Sequence, residues 1–281
     1  MSRKSTLSRV RAGIAAVAIA AFALTGCAPA DTAPTEETAI TTITPGKLTI
    51  GTGLPAYEPW VVGDAPESGE GFEAAVAYAI AAELGFAAED VVWVRTTFEE
   101  AIAPGAKNFD FNLQQYTITE ERKANVDFSD PYYTTTQTVI TVAGSAAENA
   151  ASLADLKELL VGAASATTSF TAIEEFITPT AGAQAFNSND DAKAALQSGQ
   201  LDALVVDLPT ALYLTCCDLT DGKILGQITG AEGGDSFGLV LDKGSALTAA
   251  VNAAIKALRD NGKLAGLEKK WLTDTSAPVL K

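Results

Sequence analysis

Apolar and polar residues follow two patterns along the chain, and these patterns predict helices and strands. Over residues 72–84 an apolar side chain recurs at every fourth position, as on one face of an amphipathic helix, and Gly85 ends the pattern. Short apolar runs bounded by glycine or polar loops, such as residues 91–94, predict strands. Two long helical patterns, 246–259 and 264–271, close the sequence. Strands that alternate with helices indicate a mainly parallel sheet covered on both faces.

The alternation of strands and helices occurs twice. The second series includes a predicted helix at 153–160 and a predicted strand at 203–206, and the chain loosens after it near Gly233 and Gly234. Two series with two crossings between them predict an α/β fold of two lobes with a cleft. The predicted boundaries are residues 46–131 and 238–281 for lobe 1, 137–232 for lobe 2, and 132–136 and 233–237 for the crossings.

The amino terminus has the composition of a secretory signal peptide. Within residues 1–26, four basic residues precede an apolar stretch that is too short to span a bilayer. Residues 24–27, Leu-Thr-Gly-Cys, resemble the lipobox of bacterial lipoproteins, in which cleavage leaves an acylated cysteine at the amino terminus. A short transmembrane anchor with an incidental cysteine is the alternative. Residues 27–45 are rich in Ala, Pro, Thr and Glu, which predicts a flexible tether. We therefore expect a protein anchored through Cys27 at the outer face of the bacterial cytoplasmic membrane.

The charge and the absence of histidine exclude several classes of function. The chain has 19 basic and 35 acidic residues, a formal net charge of −16, and loss of the basic signal peptide makes it more acidic still. Such a surface repels nucleic acid and anionic lipid, so we expect neither as a partner. Without histidine, the chain cannot form His-type zinc sites or Ser-His-Asp and Cys-His catalytic groups. No cofactor or metal is implied.

Two cysteines, Cys216 and Cys217, are adjacent in the exported part of the chain. A disulfide between neighbours forces a strained ring, so two buried thiols are favoured. Export to an oxidising space leaves a disulfide as the alternative.

The segment 117–133 is dense in side chains able to hold an anion. Arg122 carries a planar guanidinium that fits a carboxylate in two parallel hydrogen bonds, and Thr117 can add donors. The alternative is a surface helix start with Thr119 as its N-cap. Thr117 and Asp207 both follow predicted strands, and ligands of open α/β sheets bind outside the carboxyl ends of strands.

Several short segments between residues 46 and 273 occur in an order and spacing typical of one family. Together they resemble the extracellular solute-binding proteins of family 3, the polar amino-acid receptors of ABC importers. The segments are Gly-Thr at 51–52 with Tyr57 and Pro-Trp at 59–60, Gly-Phe-Glu at 71–73, Thr-Ile-Thr-Glu-Glu-Arg at 117–122, Val-Asp-Phe-Ser-Asp-Pro-Tyr-Tyr at 126–133, Ser-Ala-Thr-Thr-Ser at 165–169, Ser-Gly-Gln-Leu-Asp-Ala at 198–203 with Asp207, and 263–271.

The resemblance implies a type II periplasmic-binding-protein-like fold, in which two hinge strands join lobes that close over a ligand. Arg122 would pair with the α-carboxylate of an amino acid, helped by Thr117 and by the backbone N–H of Thr168. Asp207 would accept the α-ammonium group, because a buried cation needs a paired anion. The alternatives are that Asp207 and Thr168 only cap helices.

Other positions concern the ligand's side chain. Tyr57 and Phe98 match positions whose rings pack on the ligand, and Trp60 lies close by; Phe98 as plain core is the alternative. Gln114 and Gln115 stand where many relatives carry small residues, and Gln115 is expected to offer amide hydrogen bonds to a polar side chain. The alternative is that the two glutamines face lobe packing.

Some departures from the family pattern leave the ligand's side chain open. Ala164 replaces a longer polar residue that often contacts the ligand, and Ala166 replaces a common glycine. The region of Gly53 and Leu54 lacks the acid that receptors for basic amino acids tend to use. Glu58 and Asp64 are expected to be solvated surface charges.

The resemblance thus implies a monomeric receptor that captures an amino acid, without chemistry, and delivers it to an ABC transporter permease with its ATPase. One alternative is a receptor for another small solute, such as an opine or a dipeptide. A second alternative is a dehydratase on the same fold, with Glu58 or Asp207 acting as an acid.

Overall fold

The computed structural model describes residues 40–228, 234–272 and 276–280. The predicted signal peptide, Cys27 and all but the last residues of the predicted tether lie outside the described residues. Among the described residues, no helix combines the length and the apolar composition needed to cross a membrane.

The described residues form thirteen strands and eight α-helices in the alternating order that the sequence predicts. The strands are β1 Leu48–Gly53, β2 Val91–Thr96, β3 Phe111–Asn112, β4 Asp127–Phe128, β5 Tyr133–Thr135, β6 Gln137–Val142, β7 Val161–Ala164, β8 Gln184–Phe186, β9 Ala203–Asp207, β10 Gly222–Ile228, β11 Asp235–Phe237, β12 Val240–Leu241 and β13 Val279–Leu280. The helices are α1 Phe72–Glu83, α2 Phe98–Ile102, α3 Glu120–Lys123, α4 Thr168–Ala172, α5 Asn189–Gln197, α6 Leu208–Tyr213, α7 Thr248–Asp260 and α8 Lys263–Trp271.

The first lobe is built on a five-stranded sheet in the order β2-β1-β3-β12-β4. Strand β1 is parallel to β2 and β3, and β12 is antiparallel to its neighbours. Helix α1 coincides with the predicted helix and packs against α7 and α8. Its stripe residues Phe72, Val76 and Ile80 are fully buried in the core with Leu48 and Ile50 of β1. The apolar stripe therefore fixes α1 onto the sheet.

The second lobe is built on a six-stranded sheet in the order β13-β10-β6-β9-β7-β8. Strands β7, β8 and β9 are parallel, whereas β6 is antiparallel to both β9 and β10. Apolar residues of β6, β7 and β9, including Val139, Val161 and Val205, pack under α4 and the π-helical turn Ile173–Ile177 that continues it.

Two antiparallel strands, β5 and β11, join the lobes. Tyr133 pairs with Phe237 and Thr135 with Asp235. Strand β5 leads into the second sheet, and β11 leads back into the first. Both lie within the predicted crossing segments, although residue 233 is outside the described residues. The predicted two-lobed α/β fold is confirmed.

The sequence predicts that all of 238–281 belongs to the first lobe. The carboxyl-terminal strand β13 belongs instead to the second lobe. Val279 pairs in parallel with Gln227 of β10, so β13 extends the second sheet. Leu280 is only 2% exposed and joins the second lobe's core. The physical reason is that β10 has a free edge whose N–H and C=O groups need partners. Two residues of strand are too short to show a pattern in the sequence.

Two further local expectations are wrong. The predicted helix at 153–160 is a single 3₁₀ turn, Leu153–Leu156. Cys216 and Cys217 are joined by a disulfide and both are exposed, rather than being two buried thiols. They lie near the end of the π-helical turn Leu214–Asp218, which continues α6 and leaves both side chains at the surface.

Candidate functional site

A cavity of about 340 Å³ lies between the two lobes. The loops after β1 and β3 form its wall on the first lobe, together with the start of α2 and Arg122 of α3. The loops after β7 and β8 and the end of β9 form its wall on the second lobe. The cavity therefore lies outside the carboxyl ends of strands from both sheets, where ligands of α/β sheets bind.

Six of the eight residues predicted to bind a ligand line this one cavity, and Thr117 and Trp60 do not. The six are Tyr57, Phe98, Gln115, Arg122, Thr168 and Asp207. The structure thus brings together residues that are up to 150 positions apart in the sequence. Their role in binding stays a prediction.

Arg122 is held rigidly at the cavity wall. It lies in the short helix α3, whose N-cap Thr119 accepts a hydrogen bond from the Arg122 backbone N–H (3.2 Å). Its guanidinium donates to Thr117 O (2.7 Å) and, across the cleft, to Ala166 O (2.8 Å). The residue is 8% exposed, and this burial lowers the pKa of Arg122 from its ordinary value. Since a guanidinium has five N–H donors and stays charged, it can still bind a carboxylate.

Phe98 both lines the cavity and packs against the core of the first lobe. Its ring lies 5.3 Å from Arg122 Cζ, as in a cation–π contact, and 4.5 Å from the buried ring of Tyr116. The ring also lines the cavity, as does the half-buried Tyr57, whose pKa is raised by burial. The two aromatic rings give the cavity apolar walls.

Thr117 acts behind the cavity wall rather than in it. Its carbonyl oxygen accepts from Arg122, and its Oγ1 lies 3.1 Å from Thr168 Oγ1 of the second lobe. Its backbone also bridges to Phe237 in the second crossing. Thr117 thus orients Arg122 and contacts the opposite lobe.

The start of α4 lines the cavity with Thr167, Thr168 and Ser169. Thr167, not Thr168, is the N-cap, because its side chain accepts from the Phe170 N–H (3.2 Å). Thr168 is therefore the first helical residue, where an N–H has no acceptor within the helix. Ala166 precedes this turn with a positive φ of 58°, a conformation that favours the glycine it replaces.

Asp207 ends β9 and faces the cavity from the second lobe. It precedes α6 but its side chain makes no capping hydrogen bond, so capping does not explain it. Its Oδ1 accepts a hydrogen bond from Gln137 Nε2 (3.0 Å). Burial, and secondly the negative charge of Asp235, raise the pKa of Asp207 to about 8, against the opposing effects of Gln137 and Arg122.

Gln137 and Asp235 lie behind the cavity wall, line a neighbouring cavity and are not among the residues that the sequence predicts for the site. The amide of Gln137 donates to Asp207 and to Asp235, and its Oε1 accepts from Ser169 Oγ (2.6 Å). Both residues begin strands beside the predicted crossings. A polar side chain at the start of the apolar strand 137–142 was the available signal.

Gln115 lines the cavity with part of its hydrogen-bonding capacity already used. Its backbone N–H donates to Glu73 Oε1 (2.8 Å), its amide nitrogen donates to Glu73 Oε2, and Tyr132 donates its hydroxyl to the same carboxylate. Glu73 is 1% exposed, and burial raises its pKa to about 7 although these hydrogen bonds oppose the shift. The amide oxygen and the second amide N–H are therefore the groups that Gln115 has left for a ligand.

Trp60 does not line the cavity. It is 1% exposed and packs edge-on against Phe72, Tyr133 and Phe237, with ring centroids 5.7 to 6.1 Å apart. Its indole N–H donates to Thr210 Oγ1 of the second lobe (2.9 Å). The prediction of a ligand contact is not supported, because the apolar ring is buried among the aromatic residues of the crossings.

Asp64 is not simply a solvated surface charge. Its Oδ1 accepts from Arg95 Nη1 (2.5 Å) and from the Ala56 backbone N–H (2.8 Å). Arg95 Nη1 also donates to Gly53 O (2.6 Å). This ion pair therefore holds the loop that carries Tyr57 against β1 and β2.

Comparisons with known proteins agree with the observed fold. Residues 48–274 match the model for bacterial extracellular solute-binding proteins, family 3. The ABC transporter glutamine-binding protein of Bacillus subtilis is 33% identical over 218 residues, which cover 75% of this chain and 77% of that protein. The L-arginine-binding protein of Pseudomonas aeruginosa is 30% identical over 226 residues, covering 78% and 85%.

A solved structure gives the same result for the fold. An ancestral arginine-binding protein bound to glutamine superposes with a TM-score of 0.70 at 30% identity, covering 82% of this chain and 100% of that one. The chain therefore belongs to the bacterial extracellular solute-binding proteins of family 3.

Proposed function

We propose that this protein captures a polar amino acid as a zwitterion in the cavity between its lobes. The observation that carries the proposal is that Arg122 of the first lobe and Asp207 of the second lobe line the same cavity. The buried guanidinium is complementary to the carboxylate of a small molecule, and the buried carboxyl group, once ionised, is complementary to the ammonium group of the same molecule.

The carboxylate end of the ligand is assigned to Arg122 and α4. The guanidinium is already fixed by Thr117 O and Ala166 O, so it needs little reordering to bind a carboxylate. The first N–H of α4, at Thr168, adds a donor at a helix amino terminus, where anions are favoured. These groups come from both lobes, so the ligand links the lobes in the closed state.

The remaining cavity wall favours a polar side chain. Phe98 and Tyr57 supply apolar faces, and Gln115 supplies an acceptor oxygen. Relatives that bind glutamine and arginine have the same general fold, and both of these ligands carry nitrogen donors in their side chains. The proposed ligand class is therefore a polar amino acid rather than an aliphatic one.

The captured amino acid is proposed to pass to an ABC transporter permease and its ATPase, with the receptor acting as a monomer. Family membership and the transporter named for the Bacillus subtilis relative support this step. The lipobox-like sequence at 24–27 supports an anchor through Cys27 at the outer face of the cytoplasmic membrane.

A thermal-shift screen of the purified protein tests the proposed ligand class. The screen contains the twenty standard amino acids, together with opines and dipeptides. A true ligand at 100 times its dissociation constant should raise the free energy of unfolding by about 2.7 kcal/mol. If only opines or dipeptides raise the unfolding temperature, the ligand belongs to that class and not to the amino acids. If no compound raises it, the proposal is wrong. Consumption of a cyclic amino-acid precursor would instead indicate the dehydratase.

A further inference from the structure

Two carboxyl groups at the ammonium end of the proposed site share one amide nitrogen. Gln137 Nε2 donates to Asp207 Oδ1 (3.0 Å) and to Asp235 Oδ2. Thr168 Oγ1 lies 3.3 Å from the same Asp235 oxygen. Gln137, Asp207 and Asp235 come from different elements, namely β6, the end of β9 and the crossing strand β11. Asp207 lines the ligand cavity, whereas Asp235 lines a neighbouring one, so Asp235 acts on the ligand site through Gln137.

The charges around this pair do not balance when both carboxyl groups are ionised. Within the described part of the chain, Arg122 is the cation that acts on both acids, and its guanidinium is already bound to two backbone carbonyls. Glu73 adds a further buried carboxyl group nearby. The tyrosines of the first crossing, Tyr132 and Tyr133, are neutral at physiological pH because burial raises their pKa values. Two acids that lie close together in a buried place hold a proton more tightly than an isolated acid does, because burial and mutual repulsion outweigh the opposing hydrogen bonds from Gln137.

We propose that Asp235 and Gln137 are positioning residues that make ligand capture a proton exchange. In the empty site one proton is bound to the Asp207–Asp235 pair, and the ammonium group of the ligand displaces it. The carboxyl O–H bond breaks, the proton goes to water, and the ammonium N–H groups then donate to the carboxylate. No electron transfer and no further reactant are required. This inference rests on the proposed function, since it needs a ligand with a cationic amino group.

The exchange predicts how affinity depends on pH. Burial raises the pKa of Asp207 to about 8 and also raises that of Asp235. Below that pH the ligand competes with a bound proton, so affinity should rise about tenfold per pH unit from pH 6 and level off near pH 8. Asp235→Asn keeps an acceptor oxygen for Gln137 but removes the negative charge. The pKa of Asp207 then falls, and the rise in affinity moves to lower pH.

Isothermal titration calorimetry tests the exchange. Each of the twenty standard amino acids is titrated at pH 7.5, and the one with the largest heat is followed from pH 6 to pH 8.5 in pairs of buffers with different ionisation enthalpies. We expect release of close to one proton per ligand at pH 6.5 by the wild type. Asp130→Asn, which removes an exposed aspartate before the first crossing, should behave like the wild type. Asp235→Asn should release less.

The outcomes separate this inference from the proposed function. If no amino acid binds, the proposed function is wrong. If an amino acid binds but the heat at pH 6.5 does not depend on the buffer, the proton exchange alone is wrong, and this wild-type result requires no variant to fold. If Asp235→Asn weakens affinity equally at every pH, Asp235 is merely structural.

Discussion

Replacement of Arg122 by alanine is the sharpest test of the proposed ligand site. The side chain is 8% exposed and supplies the proposed partner of the ligand carboxylate. Alanine leaves that carboxylate buried without a charged partner. Loss of the guanidinium also leaves two backbone carbonyls, Thr117 O and Ala166 O, without this donor, and Ala166 lies across the cleft.

The expected loss of affinity follows from the cost of an unpaired buried charge. Truncation of one partner of a buried, hydrogen-bonded charge pair costs about 2 to 5 kcal/mol. Since about 1.4 kcal/mol corresponds to a tenfold change, the dissociation constant should rise by roughly 30-fold to several thousand-fold. Arg122→Lys keeps the charge but loses the planar fork, so we expect an intermediate loss.

Calorimetric titration with the amino acid found in the thermal-shift screen measures this effect. Arg259→Ala is a matched control, because Arg259 also donates to a backbone carbonyl, Pro131 O, but is exposed and outside the cavity. Thermal unfolding without ligand shows whether the variant folds. Unchanged affinity in a folded Arg122→Ala protein would refute the assignment of Arg122 as the carboxylate partner.

Three further predictions concern groups outside the direct ligand contacts. Trp60→Phe removes a buried hydrogen bond between the lobes and should lower the free energy of unfolding by about 1 to 3 kcal/mol in urea titrations, without changing which amino acids bind. Burial raises the pKa of Glu73 from 4.5 to about 7, so its contribution to the free energy of unfolding should fall as pH rises from 4.5 to 7. Glu73→Gln should flatten this decline, whereas the exposed control Glu83→Gln should not. The exposed disulfide of Cys216 and Cys217 should be reduced and alkylated, as seen by mass spectrometry, with no change in affinity.

The helix over residues 72–84 shows what can be predicted from local pattern. Its apolar stripe predicts the helix and the face that meets the sheet, and α1 agrees with both. The structure also buries four of the alanines between the stripe residues, because α7 and α8 cover the other side of α1. Those helices are more than 160 residues away, so no local pattern contains this information.

In the site, too, some residues could be predicted from the sequence and others only from tertiary contacts. Arg122 could be selected for its guanidinium and Asp207 because it follows a predicted strand, and both match a family pattern. Asp235 could not, since its partner Gln137 is 98 positions earlier and reaches it only where the two crossings pair. Trp60 was misassigned because it is near Tyr57 in the sequence, whereas its ring is directed toward the crossing aromatics.

The sequence by itself determined the alternation of strands and helices, the division into two lobes and the family, because these depend on local periodicity and on motif order. Only the tertiary structure decided which side chains meet. It placed β13 on the second sheet, formed the hydrogen bond from Gln115 to Glu73, and brought Asp207 and Asp235 together through Gln137. These contacts depend on free strand edges and on buried hydrogen-bond partners that lie far apart in the chain, so they exist only once both lobes and both crossings are in place.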